Sequence, residues 1–299
     1  ATLFSTFTLM GMPDLFRNHG IGAWIFLGIS DCALAFVALW FGINIRRRIS
    51  AEEFSGFSDW LGKMYRGRHA TYVYLFGIFV FLVPYVAIQI KGISLFLSSI
   101  IPNVMPSWAW SIAIVSIILA YSEMGGLKAI IFADAVQGLV LFSATIIIAS
   151  TCVSYFGGID LMFDSIESTS PALLSTPGPS GLFTFQFLLA SFLAFAMIPV
   201  TQPQMSTRLI IMRDNSSLAR MAVLLSIFSF LLVLATLPIG LYGSVLYPTS
   251  TTGEFIANVL VYDQLPIVAA MVVVGLIAAA ISTADSQLFA LGSELRSGF

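Results

Sequence analysis

The sequence predicts an all-α, polytopic membrane protein, and three observations carry that prediction. Of its 299 residues, 58% are hydrophobic and only 9% charged, against about a quarter charged in ordinary soluble domains. The mean hydropathy is +0.96, and a soluble fold of this length would lack the polar residues to cover its exterior. Third, the apolar residues fall in runs of about 20, the length that crosses a bilayer as a helix.

Those runs predict spans over 23–45, 71–100, 108–121, 129–154, 181–201, 218–247 and 266–291, preceded by a partial one over 1–12. The segment 108–121 is short, and a turn at Glu123, Met124, Gly125 and Gly126 closes it. Gly11 and Pro13 end the first apolar stretch, Pro84 interrupts the span 71–100, and Pro199 and Pro203 crowd the end of 181–201. Proline is tolerated in membrane helices as ordinary packing. Two interrupted segments five spans apart are also the pattern of transporters built as inverted repeats.

Basic residues set the expected orientation, because Lys and Arg concentrate in cytoplasmic loops. With Arg46, Arg47, Arg48, Lys63, Arg66 and Arg68 inside, alternation of the spans brings Lys128, Arg208, Arg213, Arg220 and Arg296 to the same side; Arg17 and Lys91 are the exceptions. The loop 156–180, with Asp160, Asp164 and Glu167, is then extracellular. Within 50–70, Phe54, Phe57, Trp60, Leu61 and Met64 recur at helical spacing among charged neighbours. That pattern predicts an interfacial helix along the inner membrane surface.

The remaining chemistry is sparse. Cys32 and Cys152 both lie in apolar runs and read as small packing thiols, too few for a disulfide framework or a metal centre. His19 and His69 fall in expected loops without ligand spacing. No nucleophile with a base, metal cluster or phosphate loop can be assembled, so no enzyme is expected. The net charge of -2 points to no nucleic-acid partner; the first partner is the lipid bilayer. The chain opens on Ala1 inside an apolar stretch and ends after Glu294-Leu-Arg-Ser-Gly-Phe299, so it reads as a fragment without a leader.

The most informative stretch is 278–287, which sets Ser282, Thr283 and Asp285 within a segment apolar enough to span. A charge at membrane depth costs several kcal/mol, about 2.5–3.5 on insertion scales, and normally persists only in a protein-lined cavity or pathway. Hydroxyls in membrane helices ordinarily bond back to the preceding turn; here a carboxylate one turn on, at i+3 from Ser282, favours a cation site.

Three stretches carry a family resemblance. Residues 121–137 combine Tyr121, Gly125-Gly126-Leu127, Asp134 and Gln137. Residues 279–288 hold Ser282-Thr283 followed by Asp285, Ser286 and Gln287, and residues 202–208 read Gln202-Pro203-Gln204-Met205-Ser206-Thr207-Arg208. Together they resemble the sodium:solute symporter family, whose members carry sugars, proline, sialic acid, pantothenate and iodide. The resemblance runs through essentially all 299 residues. It implies a LeuT-like bundle of five plus five inverted-repeat helices in one transmembrane domain over 1–299. Residues 1–154 would be the first repeat and 181–299 part of the second, with core helices one to eight represented.

By position, the resemblance implies a main sodium site on the carbonyls of Ala1, Phe4 and Ala279 and the hydroxyls of Ser282 and Thr283. A hard monovalent cation needs such oxygens, and the absence of a carboxylate from that set argues against Ca²⁺. A second site, for sodium or a proton, would use Asp134, Asp285 and Ser286 with Ser282. Two nearby carboxylates would raise one another's affinity for protons. Solute contacts would be Leu3, Phe7, Thr8, Gln89, Gln202 and Gln204. Proline carriers usually have an acidic residue where this chain has Leu3, which disfavours proline. The activity implied is Na⁺-coupled symport of a small organic solute (an amino acid, sugar, sialic acid or carboxylate) across a cell membrane. The alternative is a symporter-like sensor at the front of a signalling protein.

Overall fold

The structure, a computed structural model, describes residue 5, residues 7–49 and residues 54–298; the side chains of 121–131, 133 and 134 are outside that description. Its order is a π-helical turn Phe7–Gly11, α1 Met12–His19, α2 Ala23–Arg46, α3 Phe57–Met64, α4 Arg68–Ile100, α5 Ser107–Tyr155, α6 Ile159–Thr169, a 3₁₀ turn Pro171–Leu174, α7 Phe185–Ala196, α8 Ile198–Thr201, α9 Pro203–Ile211, α10 Asn215–Leu246, α11 Thr252–Ala257, a second π turn Asn258–Tyr262 and α12 Pro266–Gly298. Among the described residues there is no strand. Among the described residues five helices are long and apolar enough to cross a membrane, or six when the bent α7–α9 segment counts as one. The protein is a multi-pass, all-α membrane protein.

The apolar runs locate the helices to within a few residues: 23–45 became Ala23–Arg46, 71–100 became Arg68–Ile100 and 218–247 became Asn215–Leu246. Polar punctuation sets the starts. Asp214 caps α10 by accepting the Ser217 amide at 2.6 Å, Thr184 caps α7, and Thr251 and Glu254 form a reciprocal capping box on α11. Each satisfies an amide that a helix N-terminus leaves without an intrahelical acceptor.

Several expectations need correction. Gly11 and Pro13 do not end the first helix; α1 begins there, with Pro13 in its first turn, where the missing N–H costs nothing. The irregular backbone lies earlier. The Ser5 amide is bonded to the Thr8 hydroxyl at 3.4 Å, the Phe7 amide to the Ser5 hydroxyl at 3.2 Å, and Phe7–Gly11 winds as a π turn. Cys152 is buried, but Cys32 is exposed on its helix and packs against nothing in the core. His19 closes α1, its Nδ1 2.7 Å from the Ser180 hydroxyl, and His69 begins α4 rather than sitting in a loop.

The turn expected at 123–126 is not seen: the backbone of α5 is helical from Ser107 to Tyr155. Ser111 lies 2.8 Å from Ser94 near the end of α4. At the far end of α5, Thr151 donates to Gln264 at 2.9 Å, close to Tyr262, whose hydroxyl reaches the Ile100 carbonyl at 3.2 Å. Both ends of α5 therefore lie toward the Ile100 end of α4.

The opposite face gathers the basic loops, as the charge pattern predicts. Arg46 donates to the carbonyls of Ile210 at 3.3 Å and of Met212, which joins the ends of α2 and α9. Glu294, near the end of α12, joins α3. That joining places Arg208, Arg213 and Arg296 with the Arg46–Arg48 group.

α12 is the central post. It packs on α5, α4, α9 and α3 and is the most enclosed of the described spans. Leu9 and Met10 of the first segment share one apolar cluster with Leu276, Ala279, Ala280 and Ala284 of α12.

Candidate cation and solute sites

The central feature is a band on α12. Ala279 is buried, and so is every residue from 282 to 287: Ser282, Thr283, Ala284, Asp285, Ser286 and Gln287. Six consecutive buried positions take in every side of a helix at 3.6 residues per turn, so protein surrounds α12 at this level. Asp285 is 0% exposed. A carboxylate so placed at bilayer depth is a functional candidate by its cost alone.

The other half of the predicted sodium site is less accessible to description. Ala1, Leu3 and Phe4 lie outside the described residues, as does the side chain of Asp134. The described neighbours Ser5 and Thr8 are buried, and the Ser5 amide turns to a side-chain oxygen instead of a helical carbonyl. A midplane ion site draws main-chain oxygens from a broken helix; the described Ser5 carbonyl accepts the Thr8 amide at 3.0 Å. Among the described residues no cluster of His, Cys, Asp and Glu suits a multivalent metal.

Ser286 has a partner the sequence did not disclose. Arg208 Nη2 donates to its hydroxyl at 2.9 Å, placing a guanidinium beside the predicted second cation site. A cavity of about 30 Å³, lined by Gln204, Thr207, Arg208, Ser286, Phe289 and Ser293, separates α9 from α12 there.

Arg208 reaches this point because of a break in the chain. The segments on either side of Gln202 meet at 58°, and Gln202 itself is extended. Pro203 lacks the N–H that would bond the Pro199 carbonyl in a continuous helix. Ser206 supplies the replacement, its hydroxyl donating to Pro199 O at 2.9 Å. Gln204 Nε2 donates to Gln202 Oε1 at 2.6 Å, so these two predicted solute residues form one amide pair.

Gln202 also lines a cavity of about 890 Å³ between α2, α3 and α4 on the basic side. Its walls are largely aromatic (Trp40, Trp60, Tyr74, Phe81 and Tyr85), with Asn44, Arg48 and Thr201 beside Gln202 as polar exceptions. Pockets of this size and lining hold small organic molecules. The sequence reading missed this chamber, although Asn44 inside an apolar span was a signal. Of the other predicted solute residues, Thr8 and Gln89 are buried while Phe7 is 41% exposed; none of the three lines the chamber.

On the opposite face the buried Arg17 clamps α1. Its guanidinium donates to the carbonyls of Tyr247 and Ser250 at 2.8 Å each, pairs with Asp14 at 2.6 Å and lies 4.6 Å over the Phe255 ring. Nearby, the Tyr242 and Tyr247 hydroxyls both donate to Asp263. The Tyr247 hydroxyl is pushed up to about 12, first by burial and then by that carboxylate.

Comparison with known proteins sets this geometry in context. The chain is 22% identical to the sodium/pantothenate symporter of Haemophilus influenzae over 292 residues, which cover 96% of this chain and 59% of that protein. It is 23% identical to the sodium/pantothenate symporter of Escherichia coli over 296 residues, with the same coverage. It is 24% identical to the high-affinity proline transporter PutP of Bacillus subtilis, over 97% of this chain and 62% of that one. The chain thus spans about three fifths of the length of these relatives. A Na⁺-coupled sialic acid symporter, solved in a substrate-bound, outward-open state, has the same fold: TM-score 0.75, 18% identity, covering 100% of this chain and 64% of that one. The sodium:solute symporter family model matches residues 1–296, and the chain belongs to that family.

Proposed function

We propose that the protein is a Na⁺-coupled symporter that carries a small organic solute by alternating access. The observation that carries this reading is the buried band on α12, with Ser282, Thr283 and Asp285 enclosed at bilayer depth. In this reading Na⁺ binds between the first segment and α12, held by the Ser282 and Thr283 hydroxyls and the Ala279 carbonyl, with Ala1 and Phe4 contributing main-chain oxygens. Ion binding draws together two elements that share one apolar cluster. That gives the ion a differential affinity for one state of the carrier, as coupling requires.

Arg208 bears on the second cation site. A guanidinium 2.9 Å from Ser286 repels a further cation, so we assign Ser286 to holding α9 against α12 and keep the Ser282–Thr283 site as the coupling site. Asp134 and Asp285 remain the candidate proton or second-sodium pair.

For the solute, the amide pair Gln202–Gln204 and the buried Gln89 offer donors and acceptors, and Thr8 offers a hydroxyl. Pantothenate, proline and sialic acid, the solutes in the relatives' names, all carry a carboxylate. We therefore favour a carboxylate-bearing solute, with Leu3 arguing against proline. The sensor alternative gains nothing from these relatives, whose names are those of symporters and transporters.

The test is uptake by the whole protein in proteoliposomes. Uptake of the transported carboxylate should collapse when Na⁺ is replaced by K⁺. Thr283→Ala should raise the Na⁺ concentration for half-maximal uptake about tenfold or more, the scale of one lost bond to a charged species. Uptake indifferent to the ion swap would refute the reading.

A further inference from the structure

We propose that Glu294 is a positioning residue of the transport cycle, tying the floor of the large basic-side chamber to the helix that carries the cation band. The inference rests on the assignment of Na⁺ to α12. Glu294 is 2% exposed, and its two carboxylate oxygens accept the first amides of α3, Phe57 N at 3.0 Å and Ser58 N at 2.8 Å. A carboxylate there meets both the orphan amides and the positive end of the helix dipole.

Further bonds close the clasp. Ser58 Oγ donates to the Glu294 carbonyl at 2.8 Å and lies 2.6 Å from Ser297 Oγ, and Thr71 of α4 donates to the Ser58 carbonyl at 2.8 Å. The chain approaches so closely that only glycine fits at position 56. A Cβ there would sit 2.2 Å from Ser297 Oγ and 3.2 Å from Glu294 Oε2.

Two facts turn this contact into a coupling element. Phe57, Trp60 and Leu61 of α3 line the chamber that also reaches Gln202. Glu294 lies eleven residues beyond Thr283 on the same unbroken helix, about 16 Å along its axis. Movement of α12 on binding Na⁺ is therefore delivered to the chamber floor through this clasp, centred on one buried carboxylate. A helix resting only on the bilayer surface needs no such partner.

The experiment reports on the chamber directly. Gly77 lines it, and a Cβ added there meets nothing within 4 Å. In the whole protein, with every native cysteine, Cys32 and Cys152 included, replaced by alanine, Gly77→Cys supplies a reporter thiol for a membrane-impermeant maleimide applied to the basic face. With Glu294 intact, saturating Na⁺ should change the labelling rate about tenfold, the scale of one charge-assisted bond made or lost.

Glu294→Gln turns one of the two accepting oxygens into an NH2 donor facing an amide N–H, and should remove the Na⁺ response while Na⁺ still protects the protein against heat. Gly56→Ala attacks the clasp from α3 and leaves every clasp side chain in place, which covers failure of Glu294→Gln to fold. It should remove the response too. If uptake is Na⁺-dependent but labelling ignores Na⁺ in the parent, or responds equally in both variants, the coupling role is overturned. If uptake and heat protection both ignore Na⁺ in the parent, it is the sodium reading that fails.

Discussion

Gly240→Ala should damage sodium binding from a distance, because α1 and α10 touch at that glycine. A Cβ added at position 240 would lie 2.4 Å from Phe16 Cβ, 2.4 Å from the Pro13 carbonyl oxygen and 3.1 Å from the Arg17 amide nitrogen. Favourable contacts between heavy atoms begin near 3.5 Å, so α1 must withdraw by about 1 Å. Two of those neighbours are main-chain atoms and Phe16 is fully buried, so no side-chain rotation relieves the clash. Overpacking of this kind costs about 1–3 kcal/mol. The displaced α1 continues directly from the Phe7–Gly11 turn, and binding geometry tolerates about 0.5 Å. The Na⁺ concentration for half-maximal uptake should therefore rise at least about tenfold, a change of 1.4 kcal/mol, and the apparent melting temperature in detergent should fall. Gly28→Ala is the matched control, since a Cβ there meets nothing within 4 Å, and it should be neutral or slightly stabilising. A Gly240→Ala protein with the parent's melting temperature and Na⁺ dependence would refute the argument.

Two further predictions concern the ends of the bundle. Arg17→Lys keeps a charge but loses the planar fork that serves two carbonyls and stacks on Phe255. It should cost about 1.5–3 kcal/mol for each charged bond not remade and speed proteolysis within 247–251; unchanged cleavage would show that an ammonium suffices. The carboxyls of Asp214 and Glu254 are held below their ordinary range, each chiefly by the backbone amide it caps, that of Ser217 and of Thr251 respectively. A depressed folded value means stabilisation that is present at neutral pH and is lost as pH falls through that value. Melting temperature should accordingly decline below about pH 4, less steeply in Asp214→Asn with Glu254→Gln; identical slopes would exclude the caps.

The legible part of this protein is what local pattern dictates. The spans announce themselves because their residues are overwhelmingly apolar, and the 282–287 band stands out because it sets a carboxylate beside two hydroxyls in such a run. Phe57, Trp60 and Leu61 were recognisable as one face of a short helix, though not as a chamber wall. The clamps were not legible. Arg17 meets Tyr247 across 230 residues of chain and Glu294 meets Phe57 across 237, and no periodicity encodes partners so far apart. Arg17 looked like an exception to the charge rule because its burial depends on those carbonyls. Gly11 and Pro13 misled for a local reason: the same residues that stop a helix also start one, and only the backbone before them shows which.

The break at Gln202 has a mechanical consequence. Two torsion angles of one extended residue set the direction of α9, whose nine residues move as a short rigid lever. Its fulcrum sits beside the aromatic chamber, and its load is Arg208 against Ser286. A small rotation at the fulcrum would carry that positive charge away from the post, altering the electric potential around Ser286 and Asp285 while α12 keeps its place.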